Sequence, residues 1–118
     1  MAMEAKIDIV CPHSGDWPRN SEGSVAVFPD GRWLLAWSAY YDGYHDPSPA
    51  HLMGKWSSDK GESWGEPIML LENDGKCNVM SVSVAVFRDG SVGSAHSRTD
   101  DENAFEAWPF YRKSTDGG

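Results

Sequence analysis

Short apolar runs separated by turn residues fill the chain, and their periodicity is that of strands. Ser24-Val-Ala-Val-Phe28 is β-branched and aromatic, Pro29-Asp30-Gly31 supplies a hairpin turn, and Trp33 to Tyr40 reads as the partner strand. A third strand is predicted from about His51 to Ser57 and a fourth around Pro67 to Leu71. Further strands are expected near Ser81 to Phe87, Ser91 to Arg98 and Phe105 to Lys113. No window sustains a 3.6-residue apolar period, so almost no helix is predicted.

The pattern occurs twice. Ser24-Val-Ala-Val-Phe-Pro-Asp-Gly31 returns as Ser83-Val-Ala-Val-Phe-Arg-Asp-Gly90, with seven of eight positions identical at an offset of 59 (24 to 83). Ser38 and Ser97 keep that offset, and Ser57-Ser-Asp59-Lys-Gly61 returns as Ser114-Thr-Asp116-Gly-Gly118 at an offset of 57 (57 to 114). Four short antiparallel strands per repeat of this length fit a propeller blade better than a sandwich or a solenoid coil. The expected fold is all-β: two four-stranded antiparallel blades, one over about 16–72 and a second, incomplete, over about 78–118. Trp33, Trp37 and Val92 alternate along their strands and are expected in the core between the blades. Two blades alone leave sheet edges uncovered, so the chain is expected to be a fragment and to self-associate through those edges.

Ser57-Ser-Asp59-Lys-Gly61-Glu-Ser-Trp64 has the form Ser-x-Asp-x-Gly-x-x-Trp, the Asp box of sialidases and related propellers. The role expected of it is structural: the aspartate accepts turn N–H groups, glycine takes a left-handed conformation and tryptophan closes the loop. Arg19-Asn-Ser-Glu-Gly-Ser24, the Asp-Gly hairpin, Asp46, this box and Asn78-Val-Met-Ser81 together resemble the start of the bacterial sialidase-like family with BNR repeats, over roughly residues 16 to 118. The resemblance implies a six-bladed propeller, which at this repeat length needs roughly 350 residues. It also implies an exo-acting glycoside hydrolase that cleaves terminal sialic acid or a related sugar with retention. Such enzymes use an arginine triad for the substrate carboxylate, a tyrosine nucleophile with its glutamate, and an aspartate acid/base. The family's Arg-Ile-Pro motif is absent here, and Ser21 stands at the arginine position, two residues after Arg19. The nucleophile and the other arginines would lie in later blades, so the chain by itself is expected to be inactive. The alternatives are a non-catalytic glycan-binding or structural propeller, or an exo-glycosidase of the same fold acting on a neutral sugar such as an arabinan-type substrate.

Arg19 precedes the first predicted strand, where a guanidinium can fork onto a substrate carboxylate or an internal acid. Glu22 could accept sugar hydroxyls, serve as acid/base, or pair with Arg19. Tyr40-Tyr-Asp-Gly-Tyr-His-Asp46 is dense in aromatics and acids, a composition suited to a glycan cleft. There the resemblance implies Asp46 as acid/base, with Asp42 the second choice, and burial among Tyr41 and Tyr44 is the expected means of keeping its carboxyl protonated. Tyr44 and Asp42 are candidate sugar contacts. Arg98, at the place of Ala39 in the first repeat, is a further candidate, or else pairs with Asp100 or Asp101. His45 with Asp42 and Asp46 has no known ligand spacing, so neither a metal nor another cofactor is expected.

Composition narrows the partners. Eighteen acids against ten bases leave a formal net charge of −8, a field that repels phosphate backbones and makes nucleic acid a poor partner. Hydrophobic content of 40% with six tryptophans is enough for one compact unit. No stretch approaches the ~18 apolar residues of a membrane span, and the opening residues lack the pattern of a secretory leader; read as written, the chain is expected to be soluble and cytoplasmic, with a carbohydrate ligand as its partner. Cys11 and Cys77 fit no metal spacing and are expected to be ordinary thiols.

Overall fold

Two antiparallel sheets pack against each other in a computed structural model that describes residues 4–103 and 106–118. Sheet A contains β1 (Arg19–Val27), β2 (Trp33–Tyr40), β3 (Ala50–Ser57) and β4 (Ile68–Leu71), hydrogen-bonded in chain order. Sheet B contains β5 (Asn78–Val86), β6 (Val92–Thr99) and β7 (Ala107–Ser114) in the same order. Sheet B thus has three strands among the described residues, matching the three predicted for the second, incomplete repeat. Phe105, the predicted start of the last strand, lies outside them. No helix occurs among the described residues.

The repeat is visible in the backbone. Gly31 and Gly90 take positive φ (92° and 82°) at the tips of matching hairpins. Phe28 and Phe87 each donate a backbone N–H across the turn, to Arg32 and Ser91, both at 2.8 Å. β1 and β5 carry a bulge at the same place, between Ser21 and Ser24 and between Met80 and Ser83. Glu22 and Ser81, 59 residues apart, hold positive φ of 51° and 57° inside those bulges. This conformation is costly for residues other than glycine and persists only where its surroundings enforce it. At Ser81 the backbone N–H is held by Ser38 Oγ of sheet A at 2.9 Å.

The junction between sheets is aliphatic at its centre. Ala26, Phe28 and Leu34 of sheet A meet Val92, Val84 and Val86 of sheet B, and Trp56 tilts onto Phe28 with ring centroids 5.0 Å apart. Beside them Ala36 and Leu52 pack on Val79 and Val82. Val92 is therefore core as expected, but Trp33 and Trp37 are not at the junction. Trp37 lies on the opposite face of sheet A with Ala39 and Met53, covered by Cys11 and Trp17, and its indole N–H reaches Asn20 Oδ1 at 2.9 Å. Lys55, on that same face, donates to the Val10 carbonyl at 2.7 Å and fixes the covering segment. Trp33 instead sits against Gly61 (φ 83°), where an added Cβ would come within 3.1 Å of its ring.

In the turn after β3, Ser57 Oγ accepts the Gly61 N–H at 2.8 Å, and Asp59 accepts the Ser63 N–H at 2.8 Å together with the Ser63 and Ser57 hydroxyls. Those donors hold the Asp59 carboxyl down to about 2, the Ser63 hydroxyl contributing most. Cys11 and Cys77 are free thiols, and burial raises the pKa of both.

Candidate functional site

At the end of sheet A where β1 starts and β2 finishes, Arg19 organises a compact polar cluster. It is the first residue of β1 rather than a residue ahead of the strand. Nη2 donates to Glu22 Oε1 at 2.7 Å, Nη1 to Asp46 Oδ1 at 2.7 Å and to the Tyr44 carbonyl at 3.2 Å, and Nε to Ser21 Oγ at 2.9 Å. In a regular strand, residues three apart point to opposite faces. The bulge and the positive φ at Glu22 undo that alternation and turn its carboxylate back onto Arg19. Ser21 Oγ also donates to Glu22 Oε1 at 2.9 Å, while Glu22 Oε2 is buried without a hydrogen-bond partner.

The ring of Tyr40, fully buried, forms the floor, with its centroid 4.4 Å from the guanidinium carbon. Burial, reinforced by the Glu22 charge, pushes the Tyr40 phenol up to about 12. The hydrogen bond that Arg19 donates to Asp46 is the main cause that drives the Arg19 pKa further up.

The residue 41–49 loop brings Asp46 to Arg19. Its ends are tied by the Tyr41 N–H to the Pro49 carbonyl at 3.1 Å, and Gly43 (φ 107°) turns it. From sheet B, Asn78 donates to the carbonyls of Asp46 and Ser48, so the second repeat helps to fix the acid of the first.

Arg19, Glu22 and Asp46 are thus brought together. Asp46 is not buried among Tyr41 and Tyr44: its side chain is 71% exposed and the Tyr44 ring stands outward, tilted on His45. Burial is therefore not available as the means of keeping this carboxyl protonated. Tyr44 meets Arg19 only through its carbonyl, and Asp42 is exposed on the same loop outside the cluster. Arg98 belongs to a separate group in sheet B, with Nε on Asp100 at 3.2 Å and its guanidinium over the Phe110 ring. Ser21, Tyr40 and Asn78 complete the cluster's support; all three lie in segments that the sequence reading singled out, without a site role of their own. Among the described residues, no three His, Cys, Asp or Glu side chains are placed to hold a metal.

No family model matches the chain, and no curated protein does. Solved structures do. A protein of unknown function from Dyadobacter fermentans superposes with a TM-score of 0.76 at 19% identity, over 92% of this chain and 36% of that one. The Hadza microbial sialidase Hz136 gives 0.65 at 20% identity, over 84% of this chain and 22% of that one. The NanB sialidase from Streptococcus pneumoniae gives 0.63 at 17% identity, over 80% and 18%. The fold is that of sialidase propeller blades. The chain spans little more than a third of the first of these structures and less of the others.

Proposed function

We propose that the Arg19 cluster is part of the carbohydrate cleft of a sialidase-like exo-glycoside hydrolase, with Asp46 as acid/base, Glu22 and Arg19 positioning the sugar, and Asp42 and Tyr44 at the rim. The observation that carries this reading is the convergence of Glu22 and Asp46 on one guanidinium at 2.7 Å each. Asp46 is exposed enough to reach a glycosidic oxygen, and its contact with Arg19 sets the direction in which it points. Hydrolysis with retention needs a nucleophile on the opposite side of the sugar. The tyrosine and glutamate implied by the family resemblance would come from further blades.

A second reading, a neutral sugar as substrate or as a bound ligand that is not cleaved, is favoured by the charge of the site. Two carboxylates already occupy Arg19, so a substrate carboxylate has to displace Asp46, whereas sugar hydroxyls can donate to acids already in place.

The test is Asp46→Asn in a propeller carrying these two sheets. A carboxamide keeps the shape but cannot protonate the leaving oxygen, so kcat on a natural oligosaccharide is expected to fall by about 10²–10⁴. An aryl glycoside with a good leaving group is expected to be spared. Equal small losses on both substrates make Asp46 a turn residue and overturn the assignment.

A further inference from the structure

We propose that His51 is a pH-sensitive positioning residue: its neutral ring anchors Asn73 and with it the 41–49 loop that carries Asp46, and protonation of the ring releases that loop. His51 is the second residue of β3, pairs with Ala39 of β2 and is half-buried. Its Nδ1 accepts the backbone N–H of Asn73 at 2.9 Å. A neutral imidazole has one nitrogen free to accept, so this bond puts the ring's single proton on Nε2. The doubly protonated ring offers an N–H at both nitrogens and cannot make it.

Asn73 is the hub through which the ring acts. Its side-chain amide donates to the Cys77 carbonyl at 2.8 Å and to the Tyr41 phenol oxygen at 3.3 Å, and its Oδ1 accepts the Gly75 N–H at 3.0 Å. Cys77 is followed by Asn78, whose amide holds the carbonyls of Asp46 and Ser48. The linker between Asn73 and Asn78 has little slack: a Cβ on Gly75 would come within 2.7 Å of the Asn78 carbonyl. A shift at Asn73 is therefore passed on to Asn78. Tyr41, at the start of the loop, stacks on the His51 ring with centroids 4.3 Å apart and planes 20° from parallel. One imidazole thus grips the loop twice, at Tyr41 directly and at Asp46 through Asn73, Cys77 and Asn78.

The surroundings decide which form the ring takes. Ala39 presents a methyl group, Trp17 and Tyr41 present aromatic rings, and Asn73 a neutral amide. Glu72, next to Asn73, supplies the carboxylate whose charge acts on the ring among the described residues. Burial lowers the His51 pKa below the ordinary imidazole value, and the Glu72 charge opposes this without cancelling it. Folding therefore favours the neutral ring. The anchor is complete above about pH 6.5, the ordinary value, and is lost as pH falls through the lower value of the folded chain. Once protonated, the ring repels the Asn73 N–H and has the Glu72 carboxylate as its counter-charge. This coupling belongs to the loop itself and does not depend on what the loop binds.

Ring titration and amide exchange of the isotopically labelled 118-residue chain, between about pH 8 and about pH 5, test this. The Asn73 amide and the His51 ring are expected to titrate with one midpoint. Across it, the exchange protection of the Tyr41 N–H, which bonds the Pro49 carbonyl, is expected to fall about five- to tenfold. His51→Asn sets an amide oxygen where Nδ1 stands and accepts at every pH, so the fall is expected to vanish while the protection at the upper pH is kept. In His45→Gln, which removes the imidazole within the loop, the fall is expected to remain. An Asn73 amide that ignores the His51 titration, a fall that survives in His51→Asn, or one that disappears in His45→Gln overturns the proposal.

Discussion

The two phenylalanines that the repeat places in the same position provide an internal control for the packing of the sheets. Phe28 and Phe87 close identical hairpins, yet Phe28 is 4% exposed and Phe87 42%. Phe28 is covered by sheet B and by Trp56; Phe87 lies on the outward face of sheet B, over Gly93 and beside Tyr111. Truncating a fully buried phenylalanine loses both transfer free energy and the contacts around the hole, about 3–5 kcal/mol. At Phe87 only part of the ring leaves water and no closed cavity forms, which leaves about 1–2 kcal/mol. Phe28→Ala and Phe87→Ala should therefore differ by about 2–3 kcal/mol although the turns match and seven of the eight residues around them are identical. Equilibrium urea unfolding reads the difference directly, since with a slope of roughly 1–3 kcal/mol per molar the two midpoints should separate by about 0.7–3 M. Losses equal within about 0.5 kcal/mol, taking urea unfolding as two-state, would mean that sheet B does not cover Phe28, and the face-to-face packing would be refuted.

Two pH dependences follow from the displaced titrations. Asp59 is held at about 2, below its ordinary carboxylate value, so its contribution is complete above about pH 4 and disappears as pH falls through about 2; thermal melts of the unaltered chain and of Asp59→Asn should differ at neutral pH and converge across that window. Tyr40 is raised to about 12, so the stability it confers is complete below about pH 10 and is lost as pH rises through about 12. Tyrosinate absorbance should show one late step there, absent in Tyr40→Phe.

Much of the fold is written locally. Pro29-Asp30-Gly31 and Arg88-Asp89-Gly90 bracket their hairpins because only glycine takes the required conformation cheaply, and the repeat carries that reading from one sheet to the other. The bulges are not legible in this way. Glu22 and Ser81 adopt positive φ without being glycine, since neighbours distant in sequence enforce it, so β1 begins at Arg19 rather than at Ser24. Alternation likewise shows that Trp37 and Ala39 share a face but not what covers it; residues 11–17 do, and the junction falls to smaller side chains. At the site, residue types marked Arg19, Glu22 and Asp46, whereas burial depends on loop geometry. Asp46 consequently stands in solvent despite its aromatic neighbours, and Tyr40 emerges as the floor although it reads as an ordinary strand end.

The most direct test of the carbohydrate reading is a titration of the isotopically labelled chain with glycans, followed through its backbone amide resonances. A sialylated trisaccharide and its neutral counterpart would be compared in parallel. The account predicts saturable shifts confined to Arg19–Glu22, Tyr40 and the Tyr44–Ser48 stretch, abolished by Arg19→Ala. Shifts for the neutral glycan alone would decide between the two sugar classes. No shifts with either glycan, or shifts centred on Trp17 and Trp37 instead, would contradict it.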